Sequence, residues 1–350
     1  MDLSSWTPIN LLQLLLISQS LVLSIYLFSE GRGRFLAMFL LMLGIHMMLN
    51  IIMETNALPW MPDITHAFGF SYGPLIFLFS REMAFGETEL DVKSLRHLAF
   101  FIIALPAPYL FNNVQIILTI SIVTITYGYL IFSLVMLSKV NRALDKTQSN
   151  ALDYKLGWLN GFIISLLVLA TLDFARLIFL QPGNSQTNEA FYSFVLIGLF
   201  LYIIVMSLKV LKRPEFFQGL TVEELKLSEE TSSKSQFEPG HLDSITHLIK
   251  NDQLFLNPKL TLSKLADQTG YSSHELSALI NSHSGGNFSD YINAFRIEYV
   301  CELLKDTNQK QRVLLDILLS SGFNSKSTFN TAFKKITGQT PTEFRNSHKN

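Results

Sequence analysis

The sequence predicts an all-α protein in which a seven-helix transmembrane bundle is followed by a polar linker and an all-helical domain with two helix-turn-helix units. The chain has 350 residues, of which 49% are hydrophobic and only 16% are charged, a low charge for a soluble protein. Apolar residues dominate up to Val210, and a polar stretch follows Lys212. We therefore divide the chain into a membrane domain (residues 1–212), an acidic linker (residues 213–240) and a C-terminal domain (residues 241–350).

Seven apolar runs within residues 1–212 are candidate membrane spans. Most have about 20 residues, the length that a helix needs to cross the hydrocarbon core of a bilayer. The third and fourth runs are the weakest, because Pro74, Pro106 and Pro108 interrupt them. Membrane helices tolerate proline where neighbouring groups satisfy the freed carbonyls. The runs cover Pro8–Phe28, Phe35–Met53, Ile64–Phe79, Leu95–Phe111, Val114–Leu137, Leu156–Leu180 and Phe191–Leu208.

The charges of the loops between these runs provide a separate indication of topology. Lys and Arg follow the first, third, fifth and seventh runs, and they are missing from the N-terminus and from the other loops. Because positive loops mark the cytoplasmic side of a membrane, the N-terminus is expected outside and the C-terminal domain in the cytoplasm. No basic residue precedes the first run, so a cleaved signal peptide is not expected.

A few polar residues lie within the spans, where ionisable groups are costly and usually paired or functional. Asp173 and Arg176 are three residues apart in the sixth span and share one helix face. An ion pair that fixes helix packing and a ligand-binding role both fit them. In the second span, Asn50 and Glu54 form another polar face, and His46 lies on its flank. These five residues are the candidate sensing residues for a ligand.

Metal ions, cofactors and catalysis are not predicted. A site made of His46, His66 and Asp63 matches no spacing known for metal ligands. Cys301 is the only cysteine, so the chain has neither a disulfide framework nor a cysteine metal cluster. His274-Glu275 lacks the second histidine of zinc proteases, and no nucleotide-binding glycine motif occurs. The sequence therefore does not predict an enzyme.

The first unit of the C-terminal repeat carries local signals of a helix-turn-helix. Thr261 can cap a short helix, and Gly270 can turn the chain at positive φ. Ser272 or Ser273 can then start a second helix, whose apolar residues Leu276, Leu279 and Ile280 are expected to be buried. The second unit repeats this order 52 residues later, at Gly322.

In the second unit, Asn324 or Ser325 can cap the helix after the glycine turn. Phe329, Phe333 and Ile336 recur at helical spacing and are expected to share one buried face. A long helix over about residues 289–305 is expected to join the two units. A rigid connector of this kind can place two helices in successive major grooves, about 34 Å apart.

Each unit also offers polar side chains on the outer face of its second helix. Such donors suit phosphates and base edges, although a solvated surface is the alternative reading for each of them. In the first unit the candidate DNA-binding residues are Ser273, His274, Ser277 and Asn281. In the second unit they are Ser325, Lys326, Ser327, Asn330, Thr331 and Lys334.

Seven motifs between His241 and Arg345 carry a resemblance to a known family. In order, they are Leu262–Asp267, Gly270–Ser272, Phe288–Ile292, Arg296–Ile297, Gly322–Asn330, Ala332–Lys335 and Gly338–Arg345. Together they closely resemble the AraC/XylS family of bacterial transcription regulators. The resemblance implies sequence-specific binding of double-stranded promoter DNA, transcriptional control and contact with RNA polymerase.

The C-terminal domain departs from that family in charge. Residues 238–350 contain 12 Lys and Arg against 11 Asp and Glu, so the domain is nearly neutral. The first unit has Ala278, Asn281 and Ser282 where the family often has basic residues. We therefore expect a shallow salt dependence of DNA binding and a second unit that reads DNA more strongly than the first.

The sequence thus predicts a membrane-bound one-component transcription regulator of the bacterial inner membrane, with the bilayer and promoter DNA as partners. The seven spans would sense an unknown small-molecule or membrane signal, with or without homodimerisation. Two alternatives stay open. One is a transporter or enzyme with a DNA-binding appendage, and the other is a passive membrane tether for a DNA-binding domain.

Overall fold

The computed structural model describes residues 7–31, 33–86, 91–110, 115–179, 185–212, 219–221, 224–225, 241–305 and 313–348. Helices dominate these residues, and their only β-pairing is an isolated bridge between Gln148 and Thr261. The predicted all-α class is therefore confirmed. Most of the predicted linker, residues 213–240, lies outside the described residues.

The chain divides into two compact units. The first contains Met1–Leu137 and Leu156–Gly219, and the second contains Ser138–Lys155 and Leu220–Asn350. The segment Ser138–Lys155 follows the fifth apolar run, yet it packs with the C-terminal residues. We call it the docking segment. Nothing in the sequence interpretation assigned it to that unit.

Ten α-helices are described up to residue 212, and all except α8 belong wholly or mainly to the first unit. The helices are α1 (Pro8–Glu30), α2 (Arg34–Glu54), α3 (Thr65–Phe85), α4 (Val92–Leu95), α5 (Ala99–Ala104), α6 (Ala107–Leu110), α7 (Gln115–Thr147), α8 (Ala151–Tyr154), α9 (Gly157–Phe179) and α10 (Ser185–Leu211). Helix α7 runs from the first unit into the docking segment.

Five stretches of the described chain are long and apolar enough to cross a membrane. In their most apolar windows, between 11% and 56% of the residues are buried, so many large apolar side chains face outward. This composition allows membrane insertion, because lipid accepts such side chains whereas water does not. The stretches are Pro8–Glu30, Arg34–Glu54, Ile116–Thr147, Ala151–Arg176 and Thr187–Leu211.

The third and fourth apolar runs have a different structure. Helix α3 is mostly buried within its unit, and it packs closely on α7 through Gly73, where an added Cβ would lie 2.9 Å from Thr126 Cα. The fourth run is not one helix: it breaks into a 3-10 turn, α5 and α6. Pro106 and Pro108 explain the break, since proline lacks the donor that continues a helix. The count of seven spans therefore stays a prediction.

The described residues of the second compact unit form α8 and seven C-terminal helices around two apolar clusters. The helices are α11 (His241–Asn251), α12 (Leu262–Thr269), α13 (Ser273–Ser284), α14 (Phe288–Lys305), α15 (Leu314–Ser320), α16 (Lys326–Thr337) and α17 (Pro341–Ser347). The predicted connector is α14, which gives Ile292 and Phe295 to the first cluster and Ile297 and Val300 to the second. One helix thus holds both helix-turn-helix units in place.

One predicted core position in the second unit is wrong. Phe329 and Phe333 are buried as expected, but Ile336 is 46% exposed. The ring of Phe344 in α17 packs edge-on against Phe333, 5.5 Å between centroids. The second apolar cluster therefore ends at Phe333, and Ile336, one helical turn later, lies outside it.

Candidate DNA interface and ligand cavity

The first helix-turn-helix, α12 and α13, is built from local interactions. Thr261 Oγ1 accepts a hydrogen bond from Lys264 N and so caps α12, and Gly270 turns the chain at φ 73°. Ser272 is the N-cap of α13, and Glu275 completes a reciprocal capping box with it. These hydrogen bonds hold the pKa of the Glu275 carboxyl below its usual value.

The outer face of α13 offers little charge. Its predicted contact residues, Ser273, His274, Ser277 and Asn281, are all half-buried. The Asn281 amide donates to Ser277 Oγ at 3.5 Å, so part of its capacity is used within the helix. Helix α13 contains neither Lys nor Arg. Its contact with DNA stays a prediction.

The turn of the second helix-turn-helix, α15 and α16, is much more crowded than the first. Gly322 has φ 83°, and an added Cβ would lie 2.6 Å from Phe255 O and 2.9 Å from Leu256 O. A glycine is required here by both backbone angle and space. At Gly270 the angle is similar, but no atom lies within 4 Å of such a Cβ.

Helix α16 presents a continuous polar face to solvent. Ser325 is its N-cap and accepts from Thr328 N, as one of the two predicted caps. Ser325 is half-buried, whereas the other five candidate contact residues of this unit are exposed: Lys326, Ser327, Asn330, Thr331 and Lys334. The opposite face holds buried Phe329 and Phe333. The exposed donors are therefore available to a phosphate or a base edge.

The docking segment packs against both helix-turn-helix units through backbone and amide groups. Ser149 N donates to Leu260 O at 3.3 Å, just before α12. The Asn150 amide donates to Gly322 O at 3.1 Å, in the turn before α16. These two residues therefore contact the residue range just before the first unit and the turn of the second unit.

Arg296 is the centre of this packing. It lies in α14, it is fully buried, and its guanidinium donates to Ser149 O, Ser149 Oγ and Asn150 Oδ1. Further bonds go to Phe255 O and Asn257 O. Burial lowers the pKa of Arg296 to about 9, so the group is still charged at neutral pH. A buried charge of this kind needs full hydrogen bonding, which the docking segment helps to provide.

The docking segment also reaches the start of α16. Asp153 Oδ1 accepts from Ser325 Oγ and from Thr328 Oγ1, both at 2.5 Å. Beside it, the Asn324 amide donates to the Tyr154 hydroxyl at 3.2 Å. Sequence reasoning named Asn324 and Ser325 as candidate caps but missed Asp153 and Tyr154. The one available signal was Arg296, a charge between Phe295 and Ile297 in a helix that faces two cores.

In the first compact unit, which contains the apolar helices, the five candidate sensing residues come together around one cavity of about 650 Å³. They are His46, Asn50, Glu54, Asp173 and Arg176. Sequence reasoning missed most of the other polar residues of the lining, among which Asn188, Glu189 and Tyr192 come from α10.

Several of these side chains already have partners. Arg176 Nε donates to Asp173 Oδ1 at 2.9 Å, and Arg176 also donates to Asn188 Oδ1 at 2.9 Å. The ion pair lies within α9, and the hydrogen bond to Asn188 links α9 to α10. Glu54 accepts from the amides of Asn10 and Gln13 at 2.7 and 3.0 Å. A ligand role for these residues stays a prediction.

Comparisons with known proteins match the C-terminal unit. A family described as a helix-turn-helix domain matches residues 265–347. The chain is 32% identical to a probable transcription factor, PqrA, from Proteus vulgaris over 93 residues, which are 27% of this chain and 74% of that protein. It is 31% identical to an uncharacterized HTH-type transcriptional regulator from Staphylococcus aureus over 103 residues, 29% of this chain.

The chain spans only 13% of the length of that Staphylococcus aureus relative. Among solved structures, a protein of unknown function from Listeria innocua is 28% identical to this chain, with a TM-score of 0.27. The match covers 31% of this chain and 97% of that one.

Proposed function

This chain belongs to the AraC-type helix-turn-helix transcription regulators, and from that premise we propose that it controls transcription from the membrane. The family and its relatives are DNA-binding regulators rather than enzymes. In our proposal the two helix-turn-helix units bind promoter DNA in the cytoplasm. The apolar helices anchor the chain in the bacterial inner membrane and sense a signal there, without an intermediate partner protein.

The polar face of α16 is the observation that carries the DNA-binding part. Lys326, Asn330 and Lys334 lie four residues apart and are all exposed, while the opposite face is buried. A helix of this kind can enter the major groove with its amide toward base edges and its ammonium groups toward phosphates. RNA polymerase is an expected further partner of such a regulator, and a homodimer is compatible with the arrangement.

The test uses the full chain in lipid nanodiscs and a duplex that the protein selects from a random pool. Lys326→Ala should weaken binding to that duplex and lower the salt slope of log Kd by about 1, because one phosphate contact is lost. Lys250→Ala is the matched control, since Lys250 is an exposed lysine of α11 that pairs with Glu298. Equal slopes for the two variants would refute the assignment.

The cavity supports sensing over a passive tether. A tether needs no cavity, whereas a sensor needs a place where a ligand stabilises one state over another. Reporter output from a target promoter should therefore change in Glu54→Ala. Ile164→Ala, an exposed apolar position of α9, is the control for general damage to the bundle. Wild-type output from Glu54→Ala under all conditions would favour the tether.

A further inference from the structure

The cavity is lined by residues at a common end of the apolar helices. Ile9 opens α1, Glu54 closes α2, His66 lies at the start of α3, and Asn188 and Glu189 lie near the start of α10. In the proposed topology each of these helix ends lies on the outer side of the membrane. The cavity would then be reached from outside the cell or from the outer leaflet.

Charge in this cavity is unbalanced among the described lining residues. Three carboxylates, those of Glu54, Asp173 and Glu189, face a single guanidinium, that of Arg176. Asp173 already pairs with Arg176, and the partners of Glu54 are neutral amides. Glu189 has no hydrogen-bond or ion-pair partner in the described part of the chain. The Glu54 carboxylate is hydrogen-bonded only to neutral amides and Glu189 is exposed, so a bound cation would be attracted to two charges that no cation of the described residues neutralises.

Aromatic rings complete a lining suited to an organic cation. Phe39, Tyr72, Tyr127, Phe174 and Tyr192 all contribute to it. The guanidinium of Arg176 already lies 4.9 Å from the ring centroid of Tyr192. Ring faces attract ammonium and guanidinium groups in this way. The lining also contains aliphatic side chains, among them Leu43, Leu166 and Leu199, which suit the apolar body of a ligand.

We propose that this cavity binds an amphipathic organic cation, with its ammonium group at Glu54 and Glu189 and its apolar body among the aliphatic residues. A cavity of about 650 Å³ fits a small organic molecule and would be left largely empty by a metal ion. The proposal rests on the proposed function only for its role as the signal, because binding can be measured without DNA.

Calorimetry on the full chain in nanodiscs tests it, with octyltrimethylammonium as the probe and empty nanodiscs subtracted. We expect saturable binding that weakens about tenfold or more in Glu54→Gln/Glu189→Gln, since two attractive charges are lost. Ile164→Ala should bind as wild type does. Octanesulfonate, with a similar chain and the opposite charge, should not bind. Equal binding of both probes, or an unchanged double variant, would overturn the proposal, even if DNA binding is intact.

A second inference rests on separate residues, at the start of α16. Each recognition helix has a carboxylate at its N-terminal end, but the carboxylates come from different places. In α13 it is Glu275, three residues after the N-cap. In α16 that position is Thr328, and the carboxylate is Asp153 of the docking segment, 172 residues from Ser325.

The start of a recognition helix is also where a DNA phosphate binds, through free backbone donors and hydroxyls. Asp153 places a negative charge there and engages the hydroxyls of Ser325 and Thr328. We infer that the docking segment competes with the DNA backbone for the start of α16 and lowers DNA affinity until it is withdrawn. It is joined directly to α7 and α9, so a change in those helices can reach it through the chain.

Binding of the full chain to a fixed 30-base-pair duplex of arbitrary sequence at low salt tests this competition. Asp153→Ala should bind about two- to fivefold tighter than wild type, the effect of one charge at a helix terminus. Asp316→Ala is the matched control: it removes the same charge from an exposed position of α15 in the same unit.

A merely structural role of Asp153 predicts another result. Loss of a helix cap would speed hydrogen exchange at residues 326–329 and leave DNA binding unchanged or weaker. Tighter binding than Asp316→Ala supports competition. Binding equal to or weaker than that of Asp316→Ala would overturn it, whatever the exchange rates.

Discussion

The two helix-turn-helix units share their order of parts but differ in what completes them. The first unit finishes its recognition helix with its own glutamate, Glu275, and turns in open space at Gly270. The second takes its carboxylate from Asp153 and turns at Gly322 against the carbonyls of Phe255 and Leu256. The recognition helix of the first unit is thus capped from within the unit, whereas that of the second takes its carboxylate from a residue far away in the chain.

This difference places the stronger predicted DNA contacts and the contact with Asp153 in the same unit. The first unit has half-buried candidate contact residues on α13, which contains neither Lys nor Arg, and no contact from Asp153. The second unit has the exposed Lys326 and Lys334 on α16, and Asp153 of the docking segment contacts the start of that helix. In a protein of this kind, the unit that binds DNA more strongly is the one that benefits from regulation. Two substitution pairs, with one member in each unit, and one acid titration can break or sharpen the comparison.

The turn glycines should show the largest difference. Gly322→Ala should destabilise the second unit by about 3 kcal/mol or more, because left-handed strain of about 1–3 kcal/mol is added to a clash with two carbonyls. Gly270→Ala should cost only about 1 kcal/mol, the strain alone. Both effects are measured by the urea dependence of proteolysis of the second compact unit, which contains both glycines. Equal midpoints would show that the crowding at Gly322 relaxes.

The two asparagines test which unit reads bases. Asn330→Ala should weaken binding to the selected duplex by about 1–3 kcal/mol, the range for a lost base contact. Asn281→Ala should change it by less than about 0.5 kcal/mol, as is usual for a surface position without such a contact. Competition titrations on the full chain compare them. A larger loss for Asn281→Ala would reverse the ranking of the two units.

Acid should affect the first recognition helix more than the second. The pKa of Glu275 is lowered chiefly by hydrogen bonding to Ser272, so its capping contribution is full above about pH 4.5, its unfolded value, and is lost as pH falls through the folded value. Helix α16 has no glutamate at this position. Between pH 5 and 3, residues 273–276 should lose exchange protection in wild type, whereas Glu275→Gln should show little pH dependence.

That acid effect is the smallest of the three because the group is exposed. Protection factors compared at equal pH separate it from the intrinsic rate of exchange. Asp153 does not belong to a local box, so residues 326–329 serve as an internal reference. Parallel loss in both helices would mean that general acid unfolding, rather than the Glu275 cap, is being measured.

Local features of the two helix-turn-helix units could be predicted because each depends on only a few consecutive residues. The caps Thr261 and Ser325 and the turn at Gly322 follow from side-chain type and spacing. Ile336 was wrong because spacing shows which face a residue takes but not where the core ends. The predicted domain boundaries stay predictions, as do the DNA contacts.

Long-range contacts could not be predicted for a physical reason. Arg296 and Ser149 are 147 residues apart, and hydrogen bonds between backbone and amide groups leave no periodic signal in either segment. Five cavity residues were found from polar faces of single helices, yet Asn10 and Gln13, which donate to Glu54, were missed. Neutral amides near the start of an apolar run look like ordinary polar residues at the membrane surface.

Buried Arg296 also makes the C-terminal domain difficult to separate from the rest of the chain. Six hydrogen bonds hold its guanidinium, and three of them come from Ser149 and Asn150. A fragment that starts at His241 would keep only the other three and leave a buried charge partly unsatisfied. A gene fusion could join this domain to a different sensor domain only if it also included Ser149 and Asn150 or replaced Arg296. The C-terminal domain and the docking segment must therefore evolve together.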